Sequence, residues 1–257
     1  MEININPEIF GVGSLSVSWH GLLMVVGIIT AVLLSARMVS KAGLSPDELY
    51  NIALVCVPAG IVGARLIHVF DYWDFYIANP GLIPALHRGG LALWGGILGG
   101  ILAAFIYARI KKLKLWDYAD RIAPGIILAQ AIGRIGDVIN GEHFSLAVGS
   151  PWGVVYTNPN SPAFGNPPAH LAVGYEMVMD LIIFGVLMKL QGRIKPDGTI
   201  FLLYLASYSI GRFLLSFLRL DSNTVLLGLN QPQWLSLIVL IVVAVIFFRR
   251  RKSEPAA

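Results

Sequence analysis

Apolar residues in this 257-residue chain gather into seven long runs, near 16–37, 50–70, 91–109, 117–138, 174–190, 198–218 and 231–248. Each is about 20 residues long, the length a helix needs to cross the ~30 Å hydrocarbon layer of a bilayer. The pattern predicts an all-α fold: a polytopic membrane protein of seven transmembrane helices, forming a single integral-membrane domain over 1–257. The fourth run carries Asp117, Asp120, Arg121 and Pro124 in its first turns. Such a start is tolerable only at an interface or against other protein.

Basic residues orient the spans. Arg37 and Lys41 follow the first run, Arg109, Lys111, Lys112 and Lys114 the third, Lys189, Arg193 and Lys195 the fifth, and Arg249 to Lys252 the last. These segments are expected to be cytoplasmic, because Lys and Arg are retained on that side. Neither Lys nor Arg occurs from Ile135 to Met188, and the residues before the first run include Glu2 and Glu8 but no base. The expected arrangement therefore places the N-terminus outside and the C-terminus in the cytoplasm, with the segment at about 139–173 as an outer loop capping the site and 253–257 as a flexible tail. No cleavable signal is expected at the N-terminus.

Composition agrees with the pattern: 56% of residues are hydrophobic, only 13% are charged, and mean hydropathy is +0.71. A soluble domain of this size needs a far more charged surface. The formal charge of +4 reads as topology and attraction to anionic headgroups, so membrane lipids are the expected surroundings and nucleic acid is not a partner. The one cysteine, Cys56, has no internal partner for a disulfide.

Against this background the polar residues inside the runs stand out, since a charge at bilayer depth costs roughly 2.5–3.5 kcal/mol. The run Gly133 to Glu142 holds Arg134, Asp137, Asn140 and Glu142 at the end of the fourth span. His20, Arg65, His68, Trp94, Tyr175, Glu176, Arg212 and Arg219 fall in the same outer half under the expected topology. Guanidinium suits bidentate contact with phosphate oxygens, so Arg134 and Arg212 are candidates to hold an anionic lipid headgroup, with Arg65 and Arg219 behind them. Each of these arginines also has the reading of a salt bridge between helices or of snorkelling to the surface. Gly89 to Gly100 includes six glycines, among them Gly95 and Gly96, a spacing that serves close helix packing or an irregular wall beside a ligand.

These residues, in this order, resemble the prolipoprotein diacylglyceryl transferase family. The Gly-Arg-x-Gly-Asn-x-x-Asn-Gly-Glu signature of that family is matched by Gly133, Arg134, Gly136, Asn140, Gly141 and Glu142, with Asp137 at its first asparagine. The glycine-rich motif is matched at 89–100, with Trp94 where histidine is frequent. His20-Gly21 stands where the family has Tyr-Gly, Gly211-Arg212-Phe213 matches its late Gly-Arg-Phe, and Ser216 replaces a common glutamate. His170, Tyr175 and Glu176 match the motif after the outer loop, with Leu171 for proline, and Gln233-Trp234-Leu235-Ser236 matches the opening of the last span.

The resemblance implies transfer of a diacylglyceryl group from phosphatidylglycerol to the lipobox cysteine of preprolipoprotein signal peptides, at the bacterial inner membrane, by a monomer without cofactor. Arg134, Glu142 and Arg212 are the expected catalytic residues, and Arg134, Asp137, Asn140, His20, Gly95, Gly96 and Arg219 the expected substrate-binding ones. Glu142 ranks first as thiol base, ahead of Asp137, His20, His143 and His170, its other reading being a partner that orients Arg134. Asp137 either anchors an arginine or bonds the headgroup glycerol; Tyr175 and Glu176 either brace the loop or border the entrance. Trp94 offers only an N–H donor and excludes a histidine base there. The other classes are a catalytically silent anionic-lipid binder and a lipid transporter. No HExxH or GxSxG motif occurs, so no metal is expected.

Overall fold

The computed structural model describes every residue except 13, 14, 87, 88, 150, 221–223 and 254–257, and leaves out the side chains of 12, 15 and 251–253. The expected tail thus lies, from 254 on, outside the described residues. The order is β1 (Glu2–Ile3), β2 (Glu8–Val12), β3 (Leu15–Ser18), α1 (Trp19–Lys41), α2 (Pro46–Asp71), α3 (Trp73–Ala78), α4 (Leu93–Ile110), α5 (Leu115–Asn140), β4 (Val155–Tyr156), α6 (Ala172–Leu190), α7 (Thr199–Leu215), β5 (Thr224–Leu226), β6 (Leu229–Asn230) and α8 (Gln231–Ser253).

Six of these helices, α1, α2, α4, α5, α7 and α8, are long and apolar enough to cross a membrane. The remaining expected span forms α6, whose apolar run carries three charged residues, Glu176, Asp180 and Lys189. The fold is helical and, among the described residues, has three small two-stranded sheets that periodicity did not announce: parallel β1–β4 and the hairpins β2–β3 and β5–β6.

The chain forms two compact units, 1–35 with 119–257, and 36–118; α1 and α5 each pass from one into the other. In the first unit, Ala123 and Ile127 of α5, Ile183 and Leu187 of α6 and Ile200 and Tyr204 of α7 make the core. Asp120, awkward in sequence, sits buried beside them because it caps α7: Oδ2 accepts from the Gly198 amide at 2.6 Å and Oδ1 from that of Phe201 at 2.8 Å. A helix start leaves amide donors unsatisfied and carries partial positive charge, so a carboxylate there answers both.

The segment between α5 and α6 is tied to the end of α5. Tyr156 donates its hydroxyl to the Val138 carbonyl at 2.6 Å and Ser161 donates to that of Asn140 at 2.9 Å. Burial pushes the Tyr156 hydroxyl up to about 12, so it remains a donor at ordinary pH.

In the second unit, α2 and α4 pack backbone to backbone. A Cβ on Gly63 would collide with the Gly95 carbonyl, one on Gly95 with that of Gly63, and one on Gly99 would lie 2.5 Å from the Ala59 oxygen. Gly96 completes the face, its oxygen 3.2 Å from where a Gly60 Cβ would stand. Small residues allow this approach and the close packing it brings.

Candidate active site

The first unit gathers most of the polar residues marked out by sequence around Glu176, a residue that sequence left as a loop brace or entrance post. Glu176 lies in the first turns of α6 and is 0% exposed. Its Oε1 accepts from Arg134 Nη2 at 2.8 Å and from the Tyr208 hydroxyl at 2.9 Å. Oε2 accepts from Arg212 Nη1 at 2.7 Å, with Arg219 Nη1 at 3.5 Å. One buried carboxylate thus orders guanidiniums that arrive from α5, from α7 and from the chain after α7. A buried charge is tolerated only when paired and hydrogen-bonded, and here several donors converge on it.

The arginines are not equally enclosed. The side chains of Arg134 and Arg212 remain 20% and 17% exposed, whereas that of Arg219 is 4% exposed. Arg219 is fixed further by backbone pairing of its strand-like segment with the loop: Leu146 donates to the Leu218 carbonyl and Leu220 to that of Phe144. Its Nη2 lies 2.8 Å from His143 Nδ1. Ser216, where the family pattern has a glutamate, turns back and donates its hydroxyl to the Arg212 carbonyl at 2.7 Å.

Asp137 holds the other side of Arg134, with Oδ2 accepting from Nη1 at 2.6 Å. Three residues apart on α5, the two lie on one face of the helix. The opposite oxygen, Oδ1, is 2.8 Å from His20 Nδ1 at the start of α1, and His143 Nε2 is 3.8 Å from Oδ2. His20 can come this close because Gly136 has no side chain; a Cβ there would stand 2.6 Å from the His20 Cα.

Asn140 and Glu142 complete the signature at the end of α5. The Asn140 amide donates to Glu142 Oε1 at 2.7 Å, and Glu142 is exposed while Asn140 is buried. His170 pairs through Nδ1 with the Tyr175 hydroxyl at 3.2 Å. Asp180, one turn beyond Glu176, is fully buried, and neither of its oxygens finds a hydrogen-bond partner among the described residues. It had drawn no attention in the sequence, because one acid in an apolar run shows neither its burial nor its neighbours.

Arg65 behaves otherwise. It lies in the second unit, buried, and donates to the carbonyls of Leu82 at 2.6 Å, Ile83 at 2.7 Å, Gly89 at 2.8 Å and Gly90 at 2.9 Å. Its guanidinium stacks over Tyr76 at 5.1 Å. Arg65 fastens the segment between α3 and α4, and a phosphate would have to displace those bonds to reach it. Gly95 and Gly96 belong to the same unit, in the α2–α4 packing described above.

The candidate group in the first unit therefore offers two partly open guanidiniums, a buried carboxylate behind them, and a histidine–aspartate pair beside them. Residues 7–249 match the family model described as prolipoprotein diacylglyceryl transferase. A phosphatidylglycerol–prolipoprotein diacylglyceryl transferase of Dehalococcoides mccartyi is 38% identical over 257 residues, covering 100% of this chain and 98% of the relative. Proteins of the same description from Clostridioides difficile and Streptococcus mutans are 36% identical over 233 residues and 33% over 259, covering 90% and 97% of this chain and 90% and 96% of theirs. Because the match runs through both units and takes in the whole arginine cluster, the chain belongs to the prolipoprotein diacylglyceryl transferase family.

Proposed function

We propose that the protein transfers the diacylglyceryl group of phosphatidylglycerol to the lipobox cysteine thiol of preprolipoproteins, forming a thioether in the first step of lipoprotein maturation. The observation that carries this reading is the placement of Arg134 and Arg212 on one fully buried carboxylate, each with part of its guanidinium still exposed. Family membership supplies the reaction; the geometry supports where its charge is handled.

In the transfer, the thiolate sulfur attacks the glyceryl methylene carbon, a sulfur–carbon bond forms, and the carbon–oxygen bond to phosphate breaks. The electron pair leaves with the phosphate oxygen as glycerol phosphate. Negative charge grows on that phosphate in the transition state, and donors fixed beforehand stabilise it without reorganising. Arg134 spends Nη1 on Asp137 and Nη2 on Glu176, and Arg212 spends Nη1 on Glu176; a guanidinium has five N–H donors, so both keep some for a phosphate. Three arginines converge on Glu176, and only Arg134 among them also meets Asp137, so guanidinium donors outnumber the carboxylates they contact, which favours an anionic headgroup.

Arg219 holds the cluster from beneath through Glu176 and His143, while Asn140 and Glu142 border the headgroup glycerol. The expected topology and location belong to the same proposal: a multi-pass monomer of the bacterial inner membrane, one integral domain, seven spans including α6, the N-terminus outside, and the α5–α6 segment as an outer cap. The basic loops and the apolar α6 support it.

Purified protein incubated with labelled phosphatidylglycerol and a lipobox peptide is expected to give a thioether product, and the same peptide with Cys→Ser to give none. Headgroup binding without any product from the cysteine peptide would replace the transferase reading by that of a silent lipid binder.

A further inference from the structure

We infer that His20 and Asp137 form a carboxylate–histidine pair in which His20 Nε2 is the base that takes the proton of the lipobox thiol. The inference rests on the transferase reading and adds to it the residue that makes the nucleophile.

Geometry separates His20 from the other candidates. Its Nδ1 lies 2.8 Å from Asp137 Oδ1, and the Asp137 side chain is 4% exposed, so the carboxylate has no freedom to turn away into water. The contact is an ion-pair approach off the axis of the ring N–H, and the negative charge beside Nδ1 still favours the proton on that side of the ring, with the lone pair of a neutral imidazole on Nε2. The His20 side chain is 37% exposed, which leaves its outer edge open to an incoming thiol. Gly136 brings the α5 backbone against the His20 Cα, so the imidazole hangs from a fixed point.

The remaining groups are otherwise engaged. His143 Nδ1 faces the Arg219 guanidinium at 2.8 Å, and its Nε2 is turned toward Asp137, so its accepting nitrogen is already taken by a cation. His170 has a tyrosine hydroxyl at Nδ1 where His20 has a carboxylate. Glu142 is exposed, and its Oε1 already accepts from the Asn140 amide. Asp137 itself has both oxygens occupied, one by Arg134 and one by His20.

The same carboxylate also links the two halves of the reaction. Asp137 joins the base to Arg134, so the thiol activator and the phosphate clamp share one anchor. As the thiolate sulfur bonds to carbon and glycerol phosphate departs, the proton stays on His20 Nε2 until it passes to the leaving phosphate or to water. Imidazolium between Asp137 and the departing phosphate is stabilised by both charges. The charged groups that face His20 are Asp137 and Arg134 from α5, and Glu142 from the chain after it.

The test measures thioether formation by the full-length protein in phosphatidylglycerol micelles with a lipobox peptide, across pH ~6 to ~10, a range that brackets the reference pKa values of imidazole and thiol. His20→Ala should lose about 10²–10⁴-fold in rate near pH ~7, the range of a general base, and regain most of it above pH ~9, where the peptide thiol ionises unaided. Arg134→Ala should stay inactive at both ends, since added hydroxide does not replace a phosphate ligand. Recovery at high pH also shows that the His20→Ala protein is folded. An unchanged rate at pH ~7 in His20→Ala, or a loss that is the same at every pH, would overturn the base assignment while leaving the transferase reading in place. Absence of product from the unaltered protein at every pH would overturn both.

Discussion

Arg65 and Arg134 are both arginines enclosed in an apolar helical protein, yet they are satisfied in opposite ways. Arg65 spends Nε, Nη1 and Nη2 on four backbone carbonyls, neutral dipoles that hold it without cancelling its charge. Arg134 is held by two carboxylates, Asp137 and Glu176, and keeps a fifth of its side-chain surface open. The difference teaches how an arginine is committed. Carbonyls from a single loop make it a fastener for that loop, whereas carboxylates that each take one N–H from a different terminal nitrogen fix its orientation and leave further donors for an anion.

The contrast can be broken most severely at Glu176. Glu176→Ala leaves Arg134 and Arg212 facing one another without their shared counterion, and removal of one partner from a buried ion pair costs about 3–5 kcal/mol. Its thermal unfolding in detergent should fall by far more than that of any arginine variant, and a midpoint equal to the parent's would mean that Glu176 is not the centre of the cluster. Next in size is Arg212→Ala, which should lower the rate of thioether formation about 10²–10³-fold, as loss of one transition-state donor does. Activity within threefold of the parent would place the phosphate elsewhere.

Arg65→Lys sharpens the comparison from the other side. Lysine has a point charge in place of the fork and cannot reach four carbonyls together, so stability should drop by about 1–3 kcal/mol. The rate per folded molecule should not change, and a raised KM for phosphatidylglycerol would return Arg65 to the binding site. The smallest effect belongs to Tyr156→Phe, which deletes one hydroxyl donated to the Val138 carbonyl and should cost about 0.5–1.5 kcal/mol without altering the pH profile of the reaction.

The helices were legible because a span of about 20 apolar residues is a one-dimensional property. Run 50–70 emerges as α2 at Pro46–Asp71 and run 231–248 as α8 from Gln231. The small sheets were not legible: β1 and β4 are two residues each, pair across more than 150 positions and carry no period long enough to read. Within the site, Arg134, Asp137, Asn140 and Glu142 were found because they are contiguous and costly where they stand.

Glu176 was visible as a residue but not as a hub. Its partners lie 42 positions upstream and 36 downstream, and that convergence is a tertiary fact. Asp120 misleads in the opposite direction. It looked like a residue needing water or an interface, and its buried carboxylate instead receives the amides that begin α7.

That last contact sets a common zero for two helices. From Asp120, α5 rises 14 residues to Arg134; from the capped amide of Phe201, α7 rises 11 residues to Arg212. At 1.5 Å per residue these are climbs of roughly 21 and 17 Å from a shared starting point, and both end on the same carboxylate. One residue added to either climb would lift its guanidinium about 1.5 Å and swing it about 100° around the helix. Lengths that look free to drift among apolar residues are thus held to the residue by a polar contact at the opposite end of the helix from the arginines.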